Sequence, residues 1–225
     1  MKLIGIGSSR KVYSIGSMVV FVDNKEVEIN ICEKIPYKSP VDQYINGYTF
    51  GQRQNANECD TKLNNYRFLI KDKHGYRFNR YGILTPIFNG NKSSLVTTLV
   101  EPYITNDKRQ TENDERMSIS LKTELFHNIC LTDFHESAME YETFRDINKV
   151  SKQSKYILLN HYIGKTLKTL IEKKLISGYD ITDANWGFFK LPGMSNDIPV
   201  LLDYGMKNED LTLLSRIKSK MKSGV

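Results

Sequence analysis

An α+β fold is predicted for this 225-residue chain, with strands gathered in the first half and helices in the second. Three observations predict it. β-branched and aromatic runs separated by short polar turns fill the segment up to Tyr103. An apolar stripe at helical spacing (Leu159, Tyr162, Ile163, Leu167, Leu170, Ile171 and Leu175) dominates Tyr156 to Ile176. The two patterns do not alternate along the chain, as a doubly wound parallel sheet would require.

Taken in order, Lys11–Ile15 and Met18–Val22 read as strands joined across Gly16-Ser17, a hairpin signal. Asp23-Asn24 then supplies an N-cap, and Val27, Ile31 and Ile35 recur at helical spacing until Pro36, predicting one helix among the strands. Residues 36 to 65, rich in Asn, Gly and Gln, read as loop or poorly ordered chain. Tyr66–Ile70 and Tyr76–Phe78 form a second hairpin around Lys73-His74-Gly75, and Leu95 to Tyr103 is a further strand ended by proline. A polar, charged stretch from Asn106 to Arg116 marks the boundary between a β-rich unit, 1–105, and a helical unit, 106–225. Ser177-Gly178 closes the long helix in the manner of a glycine C-cap. Phe188–Lys190 and Val200–Leu202 flank a turn-rich loop as a late hairpin, and Leu211 to Met221 is a last amphipathic helix.

Composition narrows the classes. Hydrophobic residues make up 40% of the chain and aromatics 11%, which excludes wholesale disorder. Cys32, Cys59 and Cys130 are odd in number and far apart, so neither a disulfide framework nor a metal-ligand spacing is present, and a reducing, cytoplasmic setting is expected. No apolar run of membrane-spanning length and no signal-like opening is read, so no membrane partner is expected. His135-Glu136 lacks the second histidine of a zinc-protease helix. A net charge of +6 favours anionic partners. A nucleic-acid partner would have only the tail cations Arg216, Lys218, Lys220 and Lys222 to bind it, and no binding motif accompanies them.

The chemistry concentrates between Gly178 and Gly205. Asp180 is followed five residues later by Asn185, on a loop after a long helix, and Asp203 ends an apolar run before Tyr204-Gly205. Loop acids and strand-end acids can converge on a ligand. Amide and carboxylate oxygens suit magnesium, which takes few protein ligands and leaves the rest to phosphate and water.

This acid–amide–acid order resembles the catalytic loop and metal-binding Asp-Phe-Gly of the protein-kinase-like superfamily. Gly5-Ile-Gly7-Ser-Ser-Arg10-Lys11-Val12-Tyr13 is similar to its glycine-rich loop, and Glu101-Pro102-Tyr103 resembles the hinge that bonds adenine. The resemblance implies a bilobal fold with a β-rich N-lobe and a truncated helical C-lobe. It also implies ATP and Mg2+ as cofactors. Asp180 would orient the attacking hydroxyl, Asn185 and Asp203 would hold the metal, and Gly5, Gly7, Arg10 and Lys11 would meet the phosphates. Glu28, on the expected helix, would pair with the phosphate-binding cation, with Glu26 and Glu33 as alternatives.

Departures from the pattern shape the expectation. The third-strand lysine is missing: the alignment puts Phe21 there, and Lys25 lies about 13 Å further along an extended chain. Arg10, at the third-glycine position, is the expected substitute and the expected partner of Glu28. Gly178-Tyr179 replaces the usual histidine-arginine, and some twenty residues after Gly205 leave no room for a full activation segment. The chain thus resembles minimal kinase-like proteins of bacteriophages and bacteria, which would work in the (host) cytoplasm. The expected acceptor is a protein hydroxyl, of a partner or of the chain itself. A pseudokinase that grips a partner is the alternative, favoured by Phe21.

Overall fold

The computed structural model describes residues 1–39, 42–43, 45, 47–79, 81–102, 161–178, 185–192 and 198–223. They form a mixed α/β structure in which a curled sheet makes a half-barrel and few helices pack beside it. The seven strands of that sheet are β1 (Lys2–Ile6), β2 (Arg10–Val22), β3 (Lys25–Pro36), β4 (Leu69–Asp72), β5 (Gly75–Phe78), β6 (Ile87–Gly90) and β7 (Leu95–Thr98). Their order is β4-β5-β2-β3-β7-β6, with β1 paired antiparallel to β2. A smaller antiparallel sheet joins β8 (Glu101–Pro102), β9 (Trp186–Phe189) and β10 (Ile198–Leu201). Helices α1 (Phe50–Glu58), α2 (His161–Glu172) and α3 (Asn208–Ser223) complete the described elements, with a 3-10 turn at Thr61–Tyr66.

The first major correction concerns Lys25–Pro36, which is strand β3 and not a helix. Asp23 and Asn24 both take positive φ, 49° and 64°, and Val22 pairs with Lys25 across them. That is the geometry of a two-residue hairpin turn, which Asp and Asn adopt readily. The β-branched residues Val27, Ile29, Ile31 and Ile35 then suit the sheet better than a helix. Gly16-Ser17 is likewise no hairpin. β2 runs through it, and the pairing with β3 only shifts register between Ser14 and Gly16, a bulge that a glycine at φ 107° permits.

The second correction is α1, in a stretch that reads as loop. Its N-cap Thr49 accepts from the Gln52 amide at 3.3 Å, and the Gln52 side chain accepts from the Thr49 amide at 2.9 Å, a complete capping box. Its inward face is polar: Gln54, Asn55 and Glu58 are buried alongside Phe50 and Gly51. A search for apolar periodicity cannot see such a helix.

The strand expected over Leu95 to Tyr103 is two, β7 and β8, in different sheets, and Tyr66 lies in the 3-10 turn; other elements fall where expected. The β4–β5 hairpin turns at Lys73-His74, β9 pairs with β10 in the late hairpin, and α3 contains the expected last helix. The long helix ends at Glu172, where Lys174 at φ 56° takes the left-handed turn expected of Gly178. The polar segment at 106–116 and the unit boundary drawn there lie outside the described residues.

The core is continuous across the two sheets. Val20, Val22 and Ile29 of the large sheet pack in one cluster with Phe68, Ile83, Leu84, Leu167, Leu170, Trp186, Val200 and Leu201. Phe68 stacks on Phe189 at 4.5 Å between ring centres. The Leu201 amide donates to the Ile83 carbonyl at 2.7 Å, so β10 is fixed against the strand-like segment before β6. No helix among the described residues is long and apolar enough to cross a membrane.

The segment after β10 is clamped to α1. Arg67 donates to the Glu58 carbonyl at 2.6 Å and to Tyr204 Oη at 2.7 Å, and Tyr204 in turn donates to the Thr85 carbonyl at 2.9 Å. Burial pushes the Tyr204 phenol up to about 12, so it remains a donor. Gly205 lies against the helix itself; a Cβ there would fall 2.5 Å from the Gln54 carbonyl oxygen. Gly205→Ala is expected to cost about 1–3 kcal/mol by overpacking, read as a lower denaturant midpoint at unchanged slope.

Candidate functional site

A cleft of about 900 Å³ opens between the turn after β1, the inward face of β3, the β7–β8 connection and the chain around Asn185 and Asp203. The alternation of β3 turns Asn30, Cys32 and Lys34 into it, which is what a strand and not a helix does with residues two apart. Ile4, Val12, Val100 and Leu202 add aliphatic surface, and Gly5, Gly7, Ser9 and Arg10 line the turn. A Cβ on Gly5 or Gly7 would meet its own chain only at ordinary van der Waals distance, 3.9 and 3.5 Å. Packing within the chain therefore does not demand glycine at either position, whereas close approach of a ligand to this backbone would.

At one end of the cleft four charged side chains meet. Lys34 Nζ donates to Glu58 Oε2 at 2.9 Å and to the Leu202 carbonyl at 2.6 Å. Arg10 Nη2 lies 2.6 Å from Glu58 Oε1 and 2.5 Å from Asp203 Oδ1, and Arg10 Nη1 donates to Asn55 Oδ1 at 3.1 Å. Glu58 is fully buried, Arg10 and Lys34 nearly so, and the Asp203 side chain keeps about a third of its exposure. Burial alone would raise the Asp203 carboxyl, but the charges of Arg10 and Lys34 outweigh it and hold the group at about 2. Arg10 follows the same logic in mirror image: burial disfavours its charge, and Asp203 and Glu58 more than restore it. Both stay ionised across the physiological range. The Cys32 thiol beside them is pushed by burial up to about 11, so it is a neutral wall residue.

The turn bearing Gly7 is anchored from three sides. Ser9 Oγ bonds Gln54 of α1, Tyr37 Oη donates to the Gly7 carbonyl at 2.7 Å, and the Gly7 amide donates to the Arg10 carbonyl at 2.8 Å. Gly51 of α1 sits against the Ser9 carbonyl, where a Cβ would come within 2.4 Å. Helix and turn are thus one unit.

Of the residues picked out from the sequence, Gly5, Gly7, Arg10, Glu101, Asn185 and Asp203 all line the cleft. The Leu202 amide donates to the Asn185 carbonyl at 2.6 Å, which keeps Asn185 and Asp203 side by side. Glu101 begins β8, where it pairs with Phe188 of β9. Asp180 and Tyr103 lie outside the described residues, as do His127, His135 and Cys130. Lys11 is corrected: it alternates away from the cleft and rests over the Tyr37 ring at 5.8 Å.

Glu28 is also corrected. It is exposed on β3 and accepts from Ser17 Oγ at 2.5 Å, while Arg10 pairs with Glu58 and Asp203 instead. Phe21 is half-exposed on β2 opposite Glu26. The third strand does carry a lysine, Lys34, and its helix partner is Glu58. Neither is legible in the apolar pattern of the sequence, where β3 has apolar residues at helical spacing and α1 has a polar inward face. The capping box Thr49-x-x-Gln52 was the available signal for α1, and it places Glu58 near that helix's end.

Among the described residues no three His, Cys, Asp or Glu side chains converge as a metal cage. Asn185 with the ionised Asp203 fits a magnesium ion that completes its shell from phosphate and water. Comparison with protein-family models, with curated proteins and with solved structures yields no match. Any functional reading therefore rests on the geometry of the cleft.

Proposed function

We propose that the cleft binds a nucleoside triphosphate with magnesium and that the protein is a small, atypical kinase-like phosphotransferase acting on a hydroxyl. The observation that carries this reading is the Lys34–Glu58 ion pair, formed between the third strand and a following helix and bonded onward to the carbonyl that precedes Asp203. A strand lysine steadied by a helix glutamate, next to a metal-binding acid, is how kinase-like enzymes hold the phosphates of ATP.

In this reading Ile4 and Val12 cover one face of the base and Leu202 the other, and the base edge lies toward the β7–β8 connection. Gly5 and Gly7 admit the phosphates close to the main chain, and Lys34 binds their oxygens. Asn185 and Asp203 hold magnesium, which when bound neutralises charge on the transferring group. Asp180 orients the acceptor hydroxyl, a serine or threonine of a partner or of the chain itself. The β-rich portion and the helical portion then act as two lobes about the cleft, in the cytoplasm where ATP is supplied. The alternative is a pseudokinase that grips a partner, and nucleotide turnover separates the two.

The test is magnesium-dependent ADP release and autophosphorylation by the purified chain beside Asp203→Ala. Turnover is expected from the wild type and at least about 100-fold less from the variant. Equal turnover by the two would remove the metal assignment. No Mg-nucleotide binding by calorimetry would remove the reading as a whole.

A further inference from the structure

Arg10 is a second cation in a place where Lys34 already neutralises Glu58. Arg10 is 3% exposed, and its guanidinium has three partners on two segments: Asn55 and Glu58 of α1, and Asp203 after β10. The turn that carries it is fastened by Ser9 to Gln54 and by the close seat of Gly51. It is therefore a built feature of the cleft and not a side chain swinging at its rim.

Its contact with Asp203 has a chemical consequence. Magnesium needs carboxylate oxygens at about 2.0–2.1 Å in near-octahedral geometry. An acid that serves two such ions does so through both oxygens or through one that bridges them. In this chain Oδ1 of Asp203 is committed to Arg10 Nη2 at 2.5 Å, inside a charge-assisted bond. A second divalent ion at this carboxylate would lie against the positive charge of a guanidinium that Asn55 and Glu58 hold in place.

We infer that Arg10 is a fixed protein cation standing at Asp203 in place of a second divalent ion, so that nucleotide is held with one metal ion per chain. This inference rests on the nucleotide reading above. Arg10 is on this view a positioning residue for Asp203, and the planar fork of its guanidinium is suited to meet both a carboxylate and a phosphate oxygen.

The experiment is a Mn2+ titration followed by electron paramagnetic resonance, with and without a non-hydrolysable ATP analogue, on wild type, Arg10→Gln and Arg10→Lys. One analogue-dependent Mn2+ per chain is expected in the wild type and in Arg10→Lys, and two in Arg10→Gln. Two ions in the wild type would overturn the inference while leaving the nucleotide reading intact, as would a single ion in a folded Arg10→Gln. If Arg10→Gln does not fold, the wild-type count decides alone. Absence of analogue binding under any metal condition would overturn both readings together.

Discussion

Lys34→Met is expected to lower ATP turnover by about 100- to 1,000-fold while the protein remains folded. The magnitude is that of removing one preorganised charge from the group that stabilises a developing anion. Survival of the fold follows from the arrangement of the four charges. When Lys34 is lost, Glu58 keeps its 2.6 Å contact with Arg10, so no buried carboxylate is left unpaired. The methionine stem also replaces the aliphatic part of the lysine on the β3 face. Turnover with thermal unfolding on the same samples checks both halves. A folded variant with wild-type turnover would take Lys34 out of the phosphate site.

Glu58→Ala is expected to act in the opposite manner, with the largest loss of stability of any single change at the cleft. Glu58 is fully buried and forms ion pairs with both Lys34 and Arg10. Its removal leaves two buried cations against Asp203 alone, and breaking a buried pair from one side costs about 3–5 kcal/mol. It also opens a void at the end of α1, where the Glu58 carbonyl receives Arg67. Glu58→Gln keeps the volume and a hydrogen-bond acceptor, so any stability it regains over alanine separates packing from charge. Urea unfolding is the measurement. A loss below about 1 kcal/mol for Glu58→Ala would mean that the charges are solvated and the network is not a structural keystone.

The contrast between these variants turns on which residues pair, and that is where sequence and structure part. Local chemistry was legible wherever a signal is contained in a few neighbouring residues. The Lys73-His74 turn, the β9–β10 hairpin, the last helix, the two loop glycines and the Asn185/Asp203 pair all belong to this class. So, in principle, did the capping box at Thr49 and the Asp23-Asn24 turn. Asp and Asn serve equally as N-caps and in left-handed turns, and only the pairing of Val22 with Lys25 decides between them.

What the sequence by itself determined is that most strands lie in the first half with a late hairpin after the long helix, and that an acid–amide–acid set follows a glycine-bearing amino-terminal turn. Only the tertiary structure decided which cation meets which acid. β3 reads as helix or strand depending on whether its apolar residues are counted at spacing four or two, and it is the hydrogen bonds to β2 and β7 that select the strand. Once that register is set, Lys34 points into the cleft, and α1, with its polar inward face, brings Glu58 to it from twenty-four residues away. Arg10 reaches Asp203 across 193 residues of chain. Ion pairs of that range leave no periodic trace in sequence, because their partners are neighbours only after the sheet has curled and the helix has packed.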